Sequence, residues 1–424
     1  MRCFLVFLLI SSAIVVRGQV LVIKAKSYLD VREGKLVQPA LIVIENGKIT
    51  AINPPSAPVG ARQIDLSGKT ILPGMIDAHV HLDMNLEAGY TALSVKENSS
   101  LSVLRAYHNA HATLLAGFTT VRTMGQTNAG RELTDVSLAE ASEKGWIDAP
   151  RIIPAGHMLS ITGGHGDPSM MGGYKDGIVE ISPEVGVADG VDEVTKAVRY
   201  QIKYGAKVIK FMATAGVTSL ESSAGAQQYS EEEMKAIVSE ASRHDIKVAA
   251  HGHGTEGITS AINAGVSSIE HGSMLDDKTI ALMKEKGVFL VPTTALLDII
   301  AQSYDKMDPR IVEKAKYITV LARESHTKAF KAGVKVALGT DAPLVPHGQN
   351  ATELSAMVRR GMSVAEAIRC ATVSAAELLG VPDRGEIKTG MLADIIAVDG
   401  NPLEKISLLE TVVFVMKGGK VMKQ

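Results

Sequence analysis

Aromatic residues are scarce in this chain, at 4% of 424 residues with a single Trp. That argues against a stacking platform for nucleic-acid bases. Charge of one sign is also lacking: 44 basic against 46 acidic residues leave a net charge of -2, without a long charge run. Neither nucleic acid nor an anionic membrane is therefore an expected partner. No G-x-G-x-x-G follows a strand-like stretch, so nothing points to a dinucleotide. Repeats of solenoid length and low-complexity tracts are absent too. There are only two cysteines, Cys3 and Cys370.

The N-terminus differs in kind from the rest. Met1-Arg2 is a short positive end, residues 3–16 are uncharged and largely apolar, and Val16-Arg17-Gly18 ends on a small residue. This reads as a signal peptide over residues 1–18, cleaved before Gln19, and places the mature chain in the periplasm or outside the cell. A membrane anchor is the alternative, but the run is short for a span. No lipobox-like pattern precedes Cys3. Cleavage would leave Cys370 alone, so the mature chain is expected to lack an internal disulfide, which suits a domain large enough not to need one.

Residues 20–25, 40–45 and 48–52 are apolar-rich, and Asn46-Gly47 between the last two is a strong hairpin signal. The C-terminus has the same texture at 393–398, 412–416 and 420–422, the last two flanking Gly418-Gly419. The two ends are therefore expected to share one small β-sandwich domain, residues 19–72 and 391–424. Between them, residues 73–390 alternate strand-like and helix-like patterns. Strands are expected at 70–78, 118–122, 152–156, 206–211, 246–250, 266–270, 288–292 and 334–339. Amphipathic stretches fall at 102–115, 191–204, 231–244, 279–286 and 309–332. Eight strands with interleaved helices predict an α/β chain built on a (β/α)8 TIM-like barrel.

Chemistry in such barrels sits at the C-terminal strand ends. Those ends carry His79 and His81, then Lys210, His251, His271 and Asp341. Each alone is weak evidence: a lone strand-end histidine is usually a satisfied polar group, and Asp341 after Gly339-Thr340 could be a cap. Convergence on one barrel mouth changes the odds, because four imidazoles, an amine and a carboxylate make poor core packing and good metal ligands. Lys210 lies in Val208-Ile209-Lys210-Phe211-Met212. Burial among apolar neighbours lowers an amine's pKa, and a neutral amine can add carbon dioxide to give a carbamate able to bridge two cations. A snorkelling or ion-paired lysine is the alternative.

The pattern Pro73-Gly74-Met75-Ile76-Asp77-Ala78-His79-Val80-His81, with Lys210, His251, His271 and Gly339-Thr340-Asp341, resembles the amidohydrolase superfamily over essentially the whole mature chain. Ala250-His251-Gly252-His253-Gly254, Ile269-Glu270-His271-Gly272 and Pro346-His347-Gly348 resemble the branch of imidazolonepropionase-like proteins, Xaa-Pro dipeptidases and ochratoxin-hydrolysing enzymes. The resemblance implies two divalent ions, zinc by expectation. His79, His81 and Asp341 would hold the more buried one, His251 and His271 the other, with Lys210 bridging as its carbamate. One departure is Thr123 after Arg122, where the branch commonly has Asp. A hydroxide between the metals would attack the amide carbon, with Asp341 moving the proton to the departing amine.

For the developing oxyanion, His165 within Thr162-Gly163-Gly164-His165-Gly166-Asp167 is the expected donor and Tyr229 the second. His253 is expected to meet a substrate carboxylate, with His157, His347 and Arg122 as further polar groups of the pocket. His108, His111, His244 and His326 fall in helical stretches and read as surface or packing residues. The implied substrate is a small molecule with an amide bond to a C-terminal amino acid, a dipeptide or an N-acyl amino acid such as ochratoxin A. Homo-oligomer formation is left open. A mononuclear deaminase or cyclic-amide hydrolase is the rival, yet a deaminase of this superfamily has a proton-shuttling Glu where this chain has Gly254. A non-catalytic binding protein fits poorly with a complete set of ligands.

Overall fold

The computed structural model describes residues 20–86, 92–221 and 223–424; the expected leader and Gln19 lie outside the described residues. From the N-terminus come β1 (Leu21–Asp30), β2 (Lys35–Val37), β3 (Ala40–Glu45), β4 (Lys48–Ile52) and β5 (Arg62–Pro73). The middle contributes β6 (Met75–Val80), β7 (Phe118–Thr123), β8 (Arg151–Ile153), β9 (Val208–Met212), β10 (Lys247–Gly252), β11 (Ser268–His271) and β12 (Phe289–Val291). The C-terminus adds β13 (Ile395–Val398), β14 (Phe414–Lys417) and β15 (Lys420–Lys423).

The two ends of the chain share one sheet, in the order β15-β14-β13-β5-β1-β3-β4 with β2 on β1. Asn46 and Gly47 join β3 to β4 with φ of 51° and 76°, both left-handed, as a two-residue primed turn requires. Alternation along each strand divides the apolar residues between two cores. In β13, Ile395 and Ala397 join Ile23, Ile42, Ile44 and Phe414, whereas Ile396 and Val398 face the larger core of the middle segment.

The expected strand over 70–78 is two strands. β5 pairs with β13 as far as Pro73, and β6 leaves for a different sheet at Met75. Gly74 makes the exchange, its N–H bound to the Asp394 carbonyl at 2.8 Å. A Cβ there would lie 2.3 Å from Thr119 Oγ1, so no side chain fits.

In the middle segment every strand pairing is parallel, in the orders β6-β7-β8 and β12-β11-β10-β9. Helices alternate with these strands, which gives an α/β fold with the helices as crossovers. The helix Glu231–Ser242 shows how the sequence sets them. Ser230 and Glu233 form a reciprocal cap, and Met234, Ile237, Val238 and Ala241 bury one face. The eighth expected strand, 334–339, is not a strand: it makes one bridge, Leu290 to Val336. The Leu338 N–H bonds instead to the Cys370 carbonyl, which takes it out of a ladder.

Candidate active site

The strand ends of the middle segment surround one cavity lined by His79, His81, His165, Lys210, His251, His253, His271 and Asp341. Register brings their strand ends together: Ala249, two residues before His251 in β10, is opposite Lys210 of β9, and Gly252, one residue after it, is opposite His271 of β11. Backbone strain gathers here as well. Of the six described non-glycine residues with positive φ, His271, Thr293 and Asp341 line this cavity. Such strain persists only where surrounding contacts hold it.

The hydrogen bonds decide what the rings offer. His79 Nδ1 donates to Glu270 Oε2 at 2.7 Å, and His81 Nδ1 donates to the Gly125 carbonyl at 2.7 Å. Thr293 Oγ1 donates to the Pro292 carbonyl, so it accepts from His271 Nδ1 at 2.9 Å. With a proton on Nδ1 in all three rings, Nε2 is the nitrogen left to bind a cation. His79 Nε2 and His81 Nε2 nevertheless approach Asp341 Oδ1 to 3.3 and 3.2 Å. Two lone pairs that close to a carboxylate repel unless a cation sits among them. A proton can serve, and so can a metal: one ligand atom from each of the three residues lies within 4.8 Å of the others. Across the cavity, His251 Nε2 is buried without a hydrogen-bond partner, a costly condition unless something binds it. The donor set thus fits divalent metal.

Electrostatics agree. Burial, reinforced by neighbouring rings and Lys210, holds His251 well below the usual imidazole range. Burial also holds His271 there, against the pull of Asp341. His165 and His253 are both lowered to about 3 by burial, so both are neutral rings. Burial brings the Lys210 amine down to about 8, so a neutral fraction is present near neutral pH. Burial pushes Asp341 up, but its contacts with His79 and His81 more than offset this and leave it well below the carboxylate range.

Four expected site residues lie elsewhere. Arg122 does not line the cavity. It is buried behind it, donating to the Ala78 carbonyl, Ser268 Oγ and Glu270 Oε1 at 2.6, 3.2 and 2.9 Å. Tyr229 packs in the core against Phe211, ring centroids 6.1 Å apart, because its aromatic body gains more from burial than its hydroxyl loses. His157 Nε2 meets Gln126, and His347 Nε2 bonds the His81 carbonyl at 3.3 Å, supporting the chain from behind. Conversely, His326 is not mere packing: it reaches the cavity, and its Nε2 donates to the His271 carbonyl at 2.6 Å.

Glu270 is the chief residue that the sequence reading passed over. It joins His79 to Arg122, and these neighbours hold it at about 2 although burial pushes it up. Its only signal was its place in Ile269-Glu270-His271-Gly272. Thr123, the departure noted above, bonds Asp135 Oδ2 at 2.6 Å and plays no part in holding Arg122.

The pattern of the amidohydrolase family matches residues 70–422. The chain belongs to the amidohydrolase family. It is similar to ochratoxinase of Aspergillus niger, with 36% identity over 92% of this chain and 84% of the relative. Among solved structures it resembles a Xaa-Pro dipeptidase with bound methionine in the active site, at TM-score 0.89 and 36% identity over 96% of this chain and 100% of that one. It also resembles a prolidase complexed with N-methylphosphonate-L-proline, at TM-score 0.85 and 33% identity over 96% and 100%. Amidohydrolases of this kind are hydrolases of amide or peptide bonds, and so is this chain. The family generally binds divalent metals, in keeping with the His79, His81 and Asp341 group.

Proposed function

We propose that this amidohydrolase uses two divalent metal ions, zinc by expectation, to cleave the amide bond to a C-terminal amino acid with an apolar side chain. The observation that carries the reading is the approach of two Nε2 atoms to Asp341 Oδ1, facing an unpartnered His251 Nε2. His79, His81 and Asp341 would hold one ion, His251 and His271 the other, and Lys210, as its carbamate, both. Bound there, such ions supply activation of water and polarisation of the amide carbonyl. Asp341 accepts the proton of the attacking water on its second oxygen and returns it to the departing nitrogen, which leaves poorly as an anion. Ser219 Oγ lies 2.7 Å from His165 Nδ1; as the donor there it would leave the His165 proton on Nε2, the form that can donate to an oxyanion. His253, fixed by Ser273 Oγ at 2.7 Å, faces the substrate carboxylate.

The far wall of the cavity is Leu296, Leu297 and Ile300 from the helix Thr294–Ala301, with Ala315 and Ile318 from the helix Pro309–Ala332. A charged side chain placed against these residues loses its hydration without a partner. Ochratoxinase and the dipeptidase bound to methionine are relatives of fitting kind. We also read the bridges Val80–Ala342 and Leu159–Phe211 as closing the parallel strands into a barrel over 73–390, with 19–72 and 391–424 as the β-sandwich. Removal of residues 1–18 in export completes the reading.

A screen of dipeptides and N-acyl amino acids differing only in the C-terminal residue tests it, together with elemental analysis. Two metals per chain are expected, and Phe, Leu, Met or Pro substrates should exceed Glu or Lys ones in kcat/KM by at least roughly tenfold. One metal per chain, with ammonia released from a ring, would replace this reading with a deaminase.

A further inference from the structure

Lys314, on the helix Pro309–Ala332, lies outside every group assigned so far. Its Nζ donates to three backbone carbonyls of one loop, those of Gly216, Ser219 and Glu221, at 3.3, 2.7 and 2.8 Å. An ammonium has three donors and no acceptor, so the whole capacity of this side chain goes to that loop. The loop in turn meets His165 at two places. Ser219, fully buried, sets its Oγ 2.7 Å from His165 Nδ1. Gly216 lies flat against the ring, so closely that a Cβ there would be 2.2 Å from His165 Cε1. Both residues are among those whose carbonyls Lys314 holds. A third line reaches the His165 backbone: its amide N–H donates to Gln228 Oε1 at 3.2 Å, and Gln228 Nε2 lies 3.4 Å from Glu221 Oε1.

We propose that Lys314 is the positioning residue for His165, clamping the 216–221 loop so that the ring faces the reacting carbonyl. The proposal rests on the reading of His165 as oxyanion donor for its effect on turnover, though not for its effect on the ring. The geometry favours such a role over simple support of the helix. The same helix already has apolar contacts with this loop, where Ala315 and Ile318 cluster with Val217. It is also bonded to the rest of the site through Ser325 Oγ and His326 Nε2. What Lys314 adds is direction: three bonds, to Gly216, Ser219 and Glu221, that fix where the loop stands. An error of about 1 Å in such a group is enough to reduce turnover by roughly 100-fold.

Lys314→Met keeps the stem and its packing while removing the donors. With the metal-loaded enzyme, kcat is expected to fall roughly 10- to 100-fold, with KM for an N-acyl amino acid and metal content little changed. In a His165→Ala background the same substitution should lower kcat by less than about twofold, since the group it positions is gone. Lys314→Arg, whose flat fork reaches fewer of the three carbonyls, should fall between. Imidazole nitrogen NMR, with the His165 signal assigned by its loss in His165→Ala, reads the ring directly and should show an altered or averaged signal in Lys314→Met. Unchanged kcat and an unchanged His165 signal would overturn the proposal. So would losses that multiply fully in the double variant, because Lys314 would then act through something else. If His165→Ala itself keeps full activity while the ring signal still changes in Lys314→Met, the positioning stands and the oxyanion role of His165 fails. Should Lys314→Met not fold, Lys314→Arg carries the same comparisons.

Discussion

On one side of the cavity floor, His79 and His81 aim Nε2 at Asp341, and each outer nitrogen is tied down, to Glu270 and to the Gly125 carbonyl. Asp77 locks the two chain segments together, accepting from the His79 and Thr340 N–H groups, Thr340 Oγ1 and Asn350 Nδ2. On the other side, His251 packs its ring 4.5 to 4.6 Å from those of His165, His253 and His271, and its Nε2 has no partner. The first group is assembled by the chain itself. In the second, His271, His253 and His165 are tied to Thr293, Ser273 and Ser219, but His251 packs its ring among them and is completed only by what binds there. A site built this way should hold its first ion more tightly than its second, because one half is pre-formed and the other must be ordered on binding.

Lys210→Ala should have the largest effect, since Lys210 is the one proposed ligand common to both halves. Activity is expected to fall by at least roughly three orders of magnitude, with metal content dropping from two ions toward one. The ion that remains should be the one in the His79 half. Acetate or propionate should restore part of the variant's activity by standing in for the carbamate, and in the wild type bicarbonate should quicken assembly from metal-free protein. Elemental analysis and turnover with and without these acids check it. Two tightly held ions in the alanine variant, together with wild-type assembly that is indifferent to bicarbonate, would mean that another group bridges them.

A smaller effect should follow from Arg122→Met, which strikes the pre-formed half from behind. Breaking the Arg122–Glu270 pair leaves a buried carboxylate uncompensated, a loss of about 3–5 kcal/mol in folding stability. Glu270 then becomes a poorer fixed acceptor for His79, so affinity for the first ion should fall roughly 10- to 100-fold. Denaturant unfolding and metal titration report the two separately. Retained stability with normal loading would show that the order in this half comes from Asp77 alone.

How far the sequence shows this contrast depends on distance along the chain. His79 and His81 are readable because period-two spacing puts both at one strand end, and Lys210 because charge is conspicuous inside an apolar strand. The hairpin at Asn46-Gly47 is readable for the same local reason. Arg122 reads in the sequence as a pocket group because its partners, Ala78 and Glu270, are 44 and 148 residues away, and only the fold shows it as a support. A tyrosine after a loop looks available, whereas Tyr229 packs in the core beside Phe211. His326 sits at helical spacing that reads as packing, and nothing local shows that it meets His271. The break of the expected first strand at Gly74 likewise depends on Thr119, a contact from another element.

The smallest expected effect concerns Glu353, which supports the less organised half. Its carboxylate accepts the Thr294 and Ala295 N–H groups at 2.7 and 2.6 Å, anchoring the helix Thr294–Ala301 whose preceding residue, Thr293, fixes His271. Burial pushes Glu353 up to about 8, against the downward pull of those two N–H groups. In the unfolded chain the same group titrates near its ordinary value of 4.5. Between these values the folded protein binds a proton that the unfolded chain has released. Stability therefore falls as pH rises through that window, and is flat in this respect below and above it. Glu353→Gln keeps one acceptor and cannot titrate. It should cost about 1 kcal/mol where the wild type is protonated, and flatten the decline of Tm from about pH 5 to about pH 8. Equal slopes in the two proteins would remove Glu353 as the source. Because Glu353 reaches His271 only through a helix end and Thr293, its loss should weaken the second ion less than Arg122→Met weakens the first. The reverse order would mean that the less organised half depends more on its scaffold than its stacked rings suggest.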